Sequence, residues 1–113
     1  VITNTTRYIV MDNTLYTLMQ RTDKQVSQHA NKQIHMMGTC QLEARSISTR
    51  NLLWSYNCSM IREGSYIVGS NGNVFIAGDG SSLINVLNSD GHVQKTLQFE
   101  DTAVITSLAV GSW

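Results

Sequence analysis

The side chains best suited to acid–base or metal chemistry in this chain of 113 residues are its three histidines. Histidine titrates near neutral pH and is the commonest metal ligand in proteins. His29 and His35 lie six positions apart, which matches neither the i, i+4 spacing of a helical zinc site nor the i, i+2 spacing of one strand face. His92 is distant from both in sequence. The spacing predicts surface or turn histidines, no metal site and no cofactor.

Serine-containing and glycine-rich segments are the other candidates for chemistry. Gly78–Ser82 contains Gly, Asp and Ser, but it lacks the lysine of a phosphate loop and the repeated acidic ligands of a calcium loop. No serine has the Gly-x-Ser-x-Gly surroundings of a hydrolase nucleophile. We therefore expect a hairpin connection at 78–82 and a chain that is not an enzyme.

Cys40 and Cys58 are the only cysteines, too few for a disulfide scaffold and wrongly spaced for a zinc site. If they lie on neighbouring strands, one bridge would contribute on the order of 3 kcal/mol. The alternative is a pair of buried free thiols in a reducing compartment. The sequence alone leaves both open.

Two segments fit the acceptor sequence for N-linked glycosylation, at Asn4 and at Asn57. Only 14% of the residues are charged, and such a polar, weakly charged surface is typical of β-rich and extracellular proteins. The first residues lack an initiator Met and the basic and apolar regions of a signal peptide. We therefore expect a processed or excised chain and favour secretion over a cytoplasmic location.

The charge balance bears on the class of partner. Eight basic and eight acidic side chains cancel, so no overall field attracts nucleic acid or an anionic membrane. No apolar run approaches the roughly 20 residues that a membrane span requires. The composition predicts one domain covering residues 1–113, with no nucleic-acid partner and no membrane span.

The segment 66–110 has the pattern of short strands separated by turn residues. Tyr66–Val68, Val74–Ala77 and Leu83–Leu87 are largely apolar on both faces, whereas Val93–Phe99 alternates strictly. The intervening residues have the Gly, Asn, Asp and Ser of hairpin turns. The pattern predicts a four-stranded antiparallel sheet over 66–99, buried at one edge and exposed to solvent at the other.

An apolar triplet followed by a turn and a strand occurs more than once. Tyr8–Asn13 resembles Tyr66–Asn71, and Ser107–Ser112 offers the triplet again, 42 residues after Tyr66, which is the length of one propeller blade. The first interval is 58 residues and requires an insertion or an eroded repeat. The repeats predict about two and a half four-stranded blades of a partial β-propeller.

The middle of the chain allows two interpretations. Asp23 and Gly38 suit the ends of a helix over 24–37, and four apolar side chains between them recur at helical spacing: Val26, Ala30, Ile34 and Met37. A propeller would instead place a hairpin here, pairing 26–28 with 33–37. Tertiary context often overrides helix propensity, so both remain open.

A family resemblance rests on Leu53–Tyr56, and then on Gly72–Gly78 continuing through Ile84–Gly91 to Lys95–Leu97. These segments resemble an NHL-repeat β-propeller, and most closely the divergent propellers of molluscan tripartite-motif-like proteins. The resemblance covers residues 52–110 well and the first half poorly. It implies a propeller completed by copies of the chain or by a companion chain, because open blades leave strand edges unpaired. A small β-domain with only local propeller likeness is the alternative.

The aromatic residues carry the functional hypothesis, since flat rings with a polar tip suit contacts with sugars and peptides. We expect a non-catalytic module that binds a protein or glycan partner. An assembly subunit of an oligomeric complex is the alternative, and an RNA-binding propeller is a third. The candidate binding residues are Tyr8, Trp54, Tyr56, Tyr66 and Trp113.

Overall fold

A computed structural model describes residues 2–26, 34–58, 65–78 and 83–98. These residues form two four-stranded antiparallel sheets, each with its strands in sequence order. The N-terminal sheet consists of β1 (Ile2–Met11), β2 (Thr14–Val26), β3 (Ile34–Ser46) and β4 (Leu52–Cys58). The C-terminal sheet consists of β5 (Ser65–Ser70), β6 (Asn73–Gly78), β7 (Leu83–Leu87) and β8 (Val93–Gln98). The predicted all-β class with four-stranded antiparallel sheets is confirmed, and the arrangement is compatible with two neighbouring propeller blades.

Of the two interpretations of the middle of the chain, the helix over 24–37 is wrong at both of its ends. β2 continues through Val26 and β3 begins at Ile34, and these two residues are register partners. The strand ladder satisfies the backbone groups that a helix would have paired internally, so the local 3.6-residue pattern does not decide the structure. Residues 27–33 lie outside the described part. The strands on either side of 27–33 pair in antiparallel register, as the hairpin alternative requires, but residues 35–37 pair with 23–25 rather than with 26–28.

The two sheets begin with equivalent hairpins. The β1–β2 turn has positive φ at Asp12 (52°) and Asn13 (58°), and the β5–β6 turn has it at Asn71 (52°) and Gly72 (80°), as expected for two-residue type I′ turns. β2 and β3 are 13 residues each, whereas β6 and β7 have 6 and 5. The insertion that the repeat spacing required therefore lies in the long β2–β3 hairpin.

The core lies between the sheets. One face of the N-terminal sheet packs its buried side chains against one face of the C-terminal sheet. Ala77, Ile84 and Val86 are buried on the opposite face of the C-terminal sheet, whereas β8 is mostly exposed. The predicted gradient from buried to exposed strands is confirmed. The cluster between the sheets contains Tyr16, Leu18, Cys40, Leu42, Ala44, Ile67, Val74, Ile76 and Leu87.

Cys40 and Cys58 are directly opposite each other on β3 and β4, with their Cα atoms 5.0 Å apart, and they are joined by a disulfide. The bridge ties the edge strand β4 to the rest of the N-terminal sheet. Among the described residues, no helix has the length and apolar character needed to cross a membrane.

Candidate functional site

The first candidate surface lies between the two sheets at β1 and β5. Each of these strands forms one edge of its own sheet, and the two strands lie next to each other. Between them is a groove of about 430 Å³, which we call the inner-strand groove. No charged side chain is among the described residues that line it: Ile9, Val10, Met11, Ile67, Val68 and Gly69.

Gly69 sets how closely β1 and β5 approach. A Cβ atom at this position would lie 3.0 Å from Cδ1 of Ile9 and 3.1 Å from Sδ of Met11. These distances are shorter than ordinary carbon–carbon contacts of about 3.5–4.0 Å. The absence of a side chain at Gly69 therefore lets the Ile9 and Met11 side chains pack directly onto the β5 backbone.

The rim of the inner-strand groove is exposed. Tyr8 keeps 62% and Val10 66% of its surface accessible, and both side chains lie on the face of β1 that is turned away from the core. Val10 also lines the groove, and Tyr8 precedes it by two residues on the same face. An exposed apolar surface therefore continues from the groove along β1.

The second candidate surface is the face of the N-terminal sheet turned away from the core, which we call the outer face. The register aligns Thr6, Met19, Gln41 and Asn57 in one row across all four strands. The adjacent row contains Asn4, Arg21 and Thr39. These two rows line a shallow groove of about 570 Å³. This part of the outer face is mostly polar, whereas the exposed Tyr8 and Val10 lie farther along β1 on the same face.

The other aromatic candidates are placed differently from Tyr8. Trp54 and Tyr56 are half-buried and pack against the core. Tyr66 lies on β5, where its side chain is outside the description, and Trp113 lies beyond the described residues. Trp54 and Tyr56 therefore both pack against the core. Among the candidates whose side chains the structure describes, Tyr8 is the one on an open surface.

The turn end of the N-terminal sheet is held by hydrogen bonds between the β1–β2 turn and the β3–β4 loop. The amide Nδ2 of Asn13 donates to Oγ of Ser48 at 3.0 Å, and the backbone N–H of Ile47 donates to the carbonyl oxygen of Asn13 at 2.9 Å. The loop closes on itself through a 2.8 Å bond from the Arg50 N–H to the Ser46 carbonyl. These hydrogen bonds hold the β3–β4 loop in place, so the polar groups that form them have a structural role.

The described residues include few side chains that could perform acid–base chemistry. His92 lies exposed in the β7–β8 turn, His35 lies on β3, and His29 is outside the described residues. Burial raises the pKa of the Tyr16 phenol, the nearby Asp12 charge raises it further, and the Thr14 hydroxyl lowers it. Within the described ranges, no cluster of three or more His, Cys, Asp or Glu side chains is placed to hold a metal ion.

The loop predicted at 78–82 is described only at Gly78, which ends β6. β7 begins at Leu83 and pairs with β6 in antiparallel register. The two strands are therefore joined as the hairpin prediction requires, although residues 79–82 lie outside the description.

Comparisons with protein-family models, with curated proteins and with solved structures found no match to this chain.

The residues of the inner-strand groove are not among the candidates that the sequence indicated. Tyr8 and Tyr66 are predicted binding residues, but the apolar residues that follow each of them are not. The signal was present in the repeated triplets, since Ile9-Val10 and Ile67-Val68 are apolar at consecutive positions on strands that end their sheets. Which strands form edges becomes visible only once the sheet order is known.

Proposed function

We propose that this chain is a non-catalytic binding module that accepts an extended segment of a protein partner in the inner-strand groove. The observation that carries the proposal is the position of two edge strands, β1 and β5, on either side of an apolar groove. It favours a protein segment over a glycan, because the lining offers apolar side chains rather than the amides and hydroxyls that bind sugars.

The edge of β1 supplies the backbone part of this recognition. In the described sheet, β1 pairs with β2 on one side only, so the N–H and C=O groups on its other side are available to a further strand. Addition of an extended peptide to such an edge provides affinity through main-chain hydrogen bonds, and pockets for alternate side chains provide specificity. The rim residues Tyr8 and Val10 would then cover the bound segment.

The chemistry of the groove defines the segment it selects. Because the described lining carries no charged side chain, burial of apolar surface dominates, at about 25 cal/mol per Å². Binding is therefore expected to depend weakly on salt, unlike binding of RNA, which weakens steeply as salt displaces the phosphate contacts. We expect a partner segment with two or more apolar residues at alternate positions.

We further propose that the two sheets are adjacent blades of a propeller related to NHL repeats. Both sheets have the same strand order and open with the same type of turn. Tyr16 and Leu18 on β2 occupy the positions that Phe75 and Ala77 hold on β6, counted from these turns. Equivalent faces therefore point in the same direction, which is the arrangement that stacked blades require.

The binding proposal is tested by selecting peptides from a random extended-peptide library on the folded chain. Val10→Lys places a charge at the exposed rim of the groove, and we expect it to lower the affinity for the selected peptides at least tenfold. Thr39→Lys is the matched control, since it adds the same charge on the same face of the sheet but outside the groove lining, and it should change affinity less than twofold. Equal effects of the two variants, or enrichment of glycans alone on a glycan array, would contradict the proposal.

A second candidate function is that of an assembly subunit, which a surface on β4 favours. β4 forms the far edge of the N-terminal sheet, and it exposes Leu52 and Leu53. An exposed apolar edge strand is a template for pairing with another chain, such as a second copy or a companion chain that extends the propeller. Native mass spectrometry at micromolar concentration tests it: loss of an oligomer in Leu53→Lys supports assembly, and a wild-type monomer refutes it.

A further inference from the structure

We propose that Asn4 and Asn57 both carry N-linked glycans, which makes the outer face of the N-terminal sheet a shielded solvent face. Asn4-Thr5-Thr6 and Asn57-Cys58-Ser59 are acceptor sequences, and the structure places both asparagines on the same face. This placement follows from the strand register. Asn57 is in the row of Thr6, and Asn4 lies two residues before Thr6 on β1, so its side chain is on the same face. The inference does not depend on binding in the inner-strand groove.

Both asparagines are accessible. Each is exposed, and both line the one shallow groove of about 570 Å³ on the outer face. Within the described part of the chain, neither side-chain amide has a hydrogen-bond partner. Three strand spacings separate β1 from β4, so the two sites lie about 15 Å apart, with strands about 4.8 Å from one another. That separation leaves room for a glycan on each.

The disulfide is a second, independent observation. Cys40 and Cys58 are bridged, and structural disulfides persist in oxidising compartments, including the lumen in which asparagine glycosylation takes place. Cys58 is also the middle residue of the second acceptor sequence. The bridge therefore indicates an oxidising compartment, which is also where the modification of Asn57 takes place.

The reaction needs a lipid-linked oligosaccharide diphosphate as donor and a cellular transferase. The side-chain amide nitrogen of Asn4 or Asn57 forms a bond to the anomeric carbon of the first sugar. That carbon loses its bond to the diphosphate oxygen, the amide nitrogen gives up one proton, and the lipid diphosphate leaves. The amide remains neutral, so the exposed side chain acquires a large polar group without a change in charge.

A glycosylated outer face limits where other contacts can form. The face already carries Arg21, Asp23, Glu43 and Arg45, and Arg45 pairs with Glu43 at 3.3 Å. Charged groups and two bulky glycans would have to be desolvated or displaced before another sheet packed there. The glycans would therefore keep other sheets away from the rows that contain Asn4 and Asn57, whereas Tyr8 and Val10 lie toward the other end of β1.

The test is secretion of the full chain from a eukaryotic cell line behind a cleavable leader, followed by intact and peptide mass spectrometry with and without a glycan-removing amidase. We expect two glycans on the wild-type chain, one on Asn4→Gln, one on Asn57→Gln and none on the double variant. Asn51→Gln, an exposed asparagine outside any acceptor sequence, should keep both. A secreted chain that is unmodified, or modified at one asparagine only, would overturn the proposal.

A second measurement tests the shielding. Native mass spectrometry of the glycosylated chain and of the double Gln variant should give the same oligomeric state, because the outer face forms no interface between copies. A larger assembly of the double variant, or dissociation on loss of the glycan sites, would contradict a solvent face that forms no interface. Peptide binding in the groove, measured separately, is unaffected by either result.

Discussion

The indole Nε1 of Trp54 donates a 2.8 Å hydrogen bond to the carbonyl oxygen of Ser89, and this bond joins the last strand of the N-terminal sheet to the β7–β8 turn. The same indole stands 5.8 Å from the Tyr16 ring, tilted by 55°, in the favourable range for aromatic pairs. Trp54 thus links the two sheets at the edge opposite β1 and β5. Trp54, which the sequence indicated as a candidate binding residue, therefore packs between the sheets.

Gly91→Ala should destabilise the protein more than Gly72→Ala. Both glycines have positive φ, 84° and 80°, so each substitution costs about 1 kcal/mol or slightly more for the left-handed backbone. A Cβ at Gly91 would also lie 2.6 Å from the Trp54 ring, whereas a Cβ at Gly72 meets no atom within 4 Å. Overpacking should add about 1–3 kcal/mol to Gly91→Ala alone. Urea denaturation of both variants measures the difference.

A double-mutant cycle identifies the cause of that difference. In a Trp54→Ala background the clash is absent, so the cost of Gly91→Ala should fall to that of Gly72→Ala. A penalty for Gly91→Ala that persists unchanged without the indole would show that the turn, rather than the sheet junction, sets it.

The Cys40–Cys58 disulfide should contribute about 3 kcal/mol to the free energy of unfolding, since it closes a loop with a sequence separation of 18. The double variant Cys40→Ala/Cys58→Ala should show this loss in denaturant titration, and reduction of the wild-type chain should reproduce most of it. Stability that is insensitive to both changes would contradict a structural role for the bridge.

Leu42→Ala should be among the most damaging single substitutions. Leu42 is fully buried between the sheets, and truncation of a buried leucine costs about 2–5 kcal/mol through lost burial and the cavity that remains. Leu53→Ala is the control, because Leu53 is 54% exposed and exposed substitutions change stability by about 0.5 kcal/mol or less. Similar effects in thermal unfolding would indicate that the sheets do not pack through Leu42.

Tyr16→Phe should make the protein more resistant to alkali. Burial raises the pKa of Tyr16 in the folded chain above its ordinary value of 10.0, so the folded state holds the phenol proton more tightly than the unfolded state. The contribution of the protonated Tyr16 phenol to the free energy of unfolding is fully present below about pH 10, and it is lost as pH rises toward the folded-state pKa. The fall in melting temperature between about pH 9 and pH 11 should be smaller in Tyr16→Phe, and parallel curves would refute the assignment.

The strands of the C-terminal sheet were predictable because each carries its own apolar pattern and is bounded by turn residues. The β7–β8 turn follows its local chemistry. Oδ1 of Asn88 accepts from the N–H of Asp90 and of His92, and Gly91 has a positive φ, which glycine adopts readily. In contrast, the strands that end at Val26 and begin at Ile34 belong to a segment with a helical pattern of apolar residues. Their structure depends on a neighbouring strand, which no local pattern reveals.

The repeat was recognised one residue out of register. The sequence aligns Tyr8 with Tyr66, but counted back from the two-residue turns, Tyr8 corresponds to Ile67. A shift of one residue moves every side chain to the other face of a strand. The candidate site therefore could not be assembled from the repeat alone, since face and edge assignments needed the turn positions and the sheet order.

Backbone hydrogen exchange, with and without a peptide selected on the folded chain, tests the central claim most directly. If the inner-strand groove takes an extended segment, the bound peptide should slow amide exchange at 8–11 and 67–69, and Val10→Lys should abolish that protection while Thr39→Lys retains it. Protection that appears instead on the outer-face strands at 4–6 and 39–41, or no selectable peptide at all, would contradict a binding module built on β1 and β5.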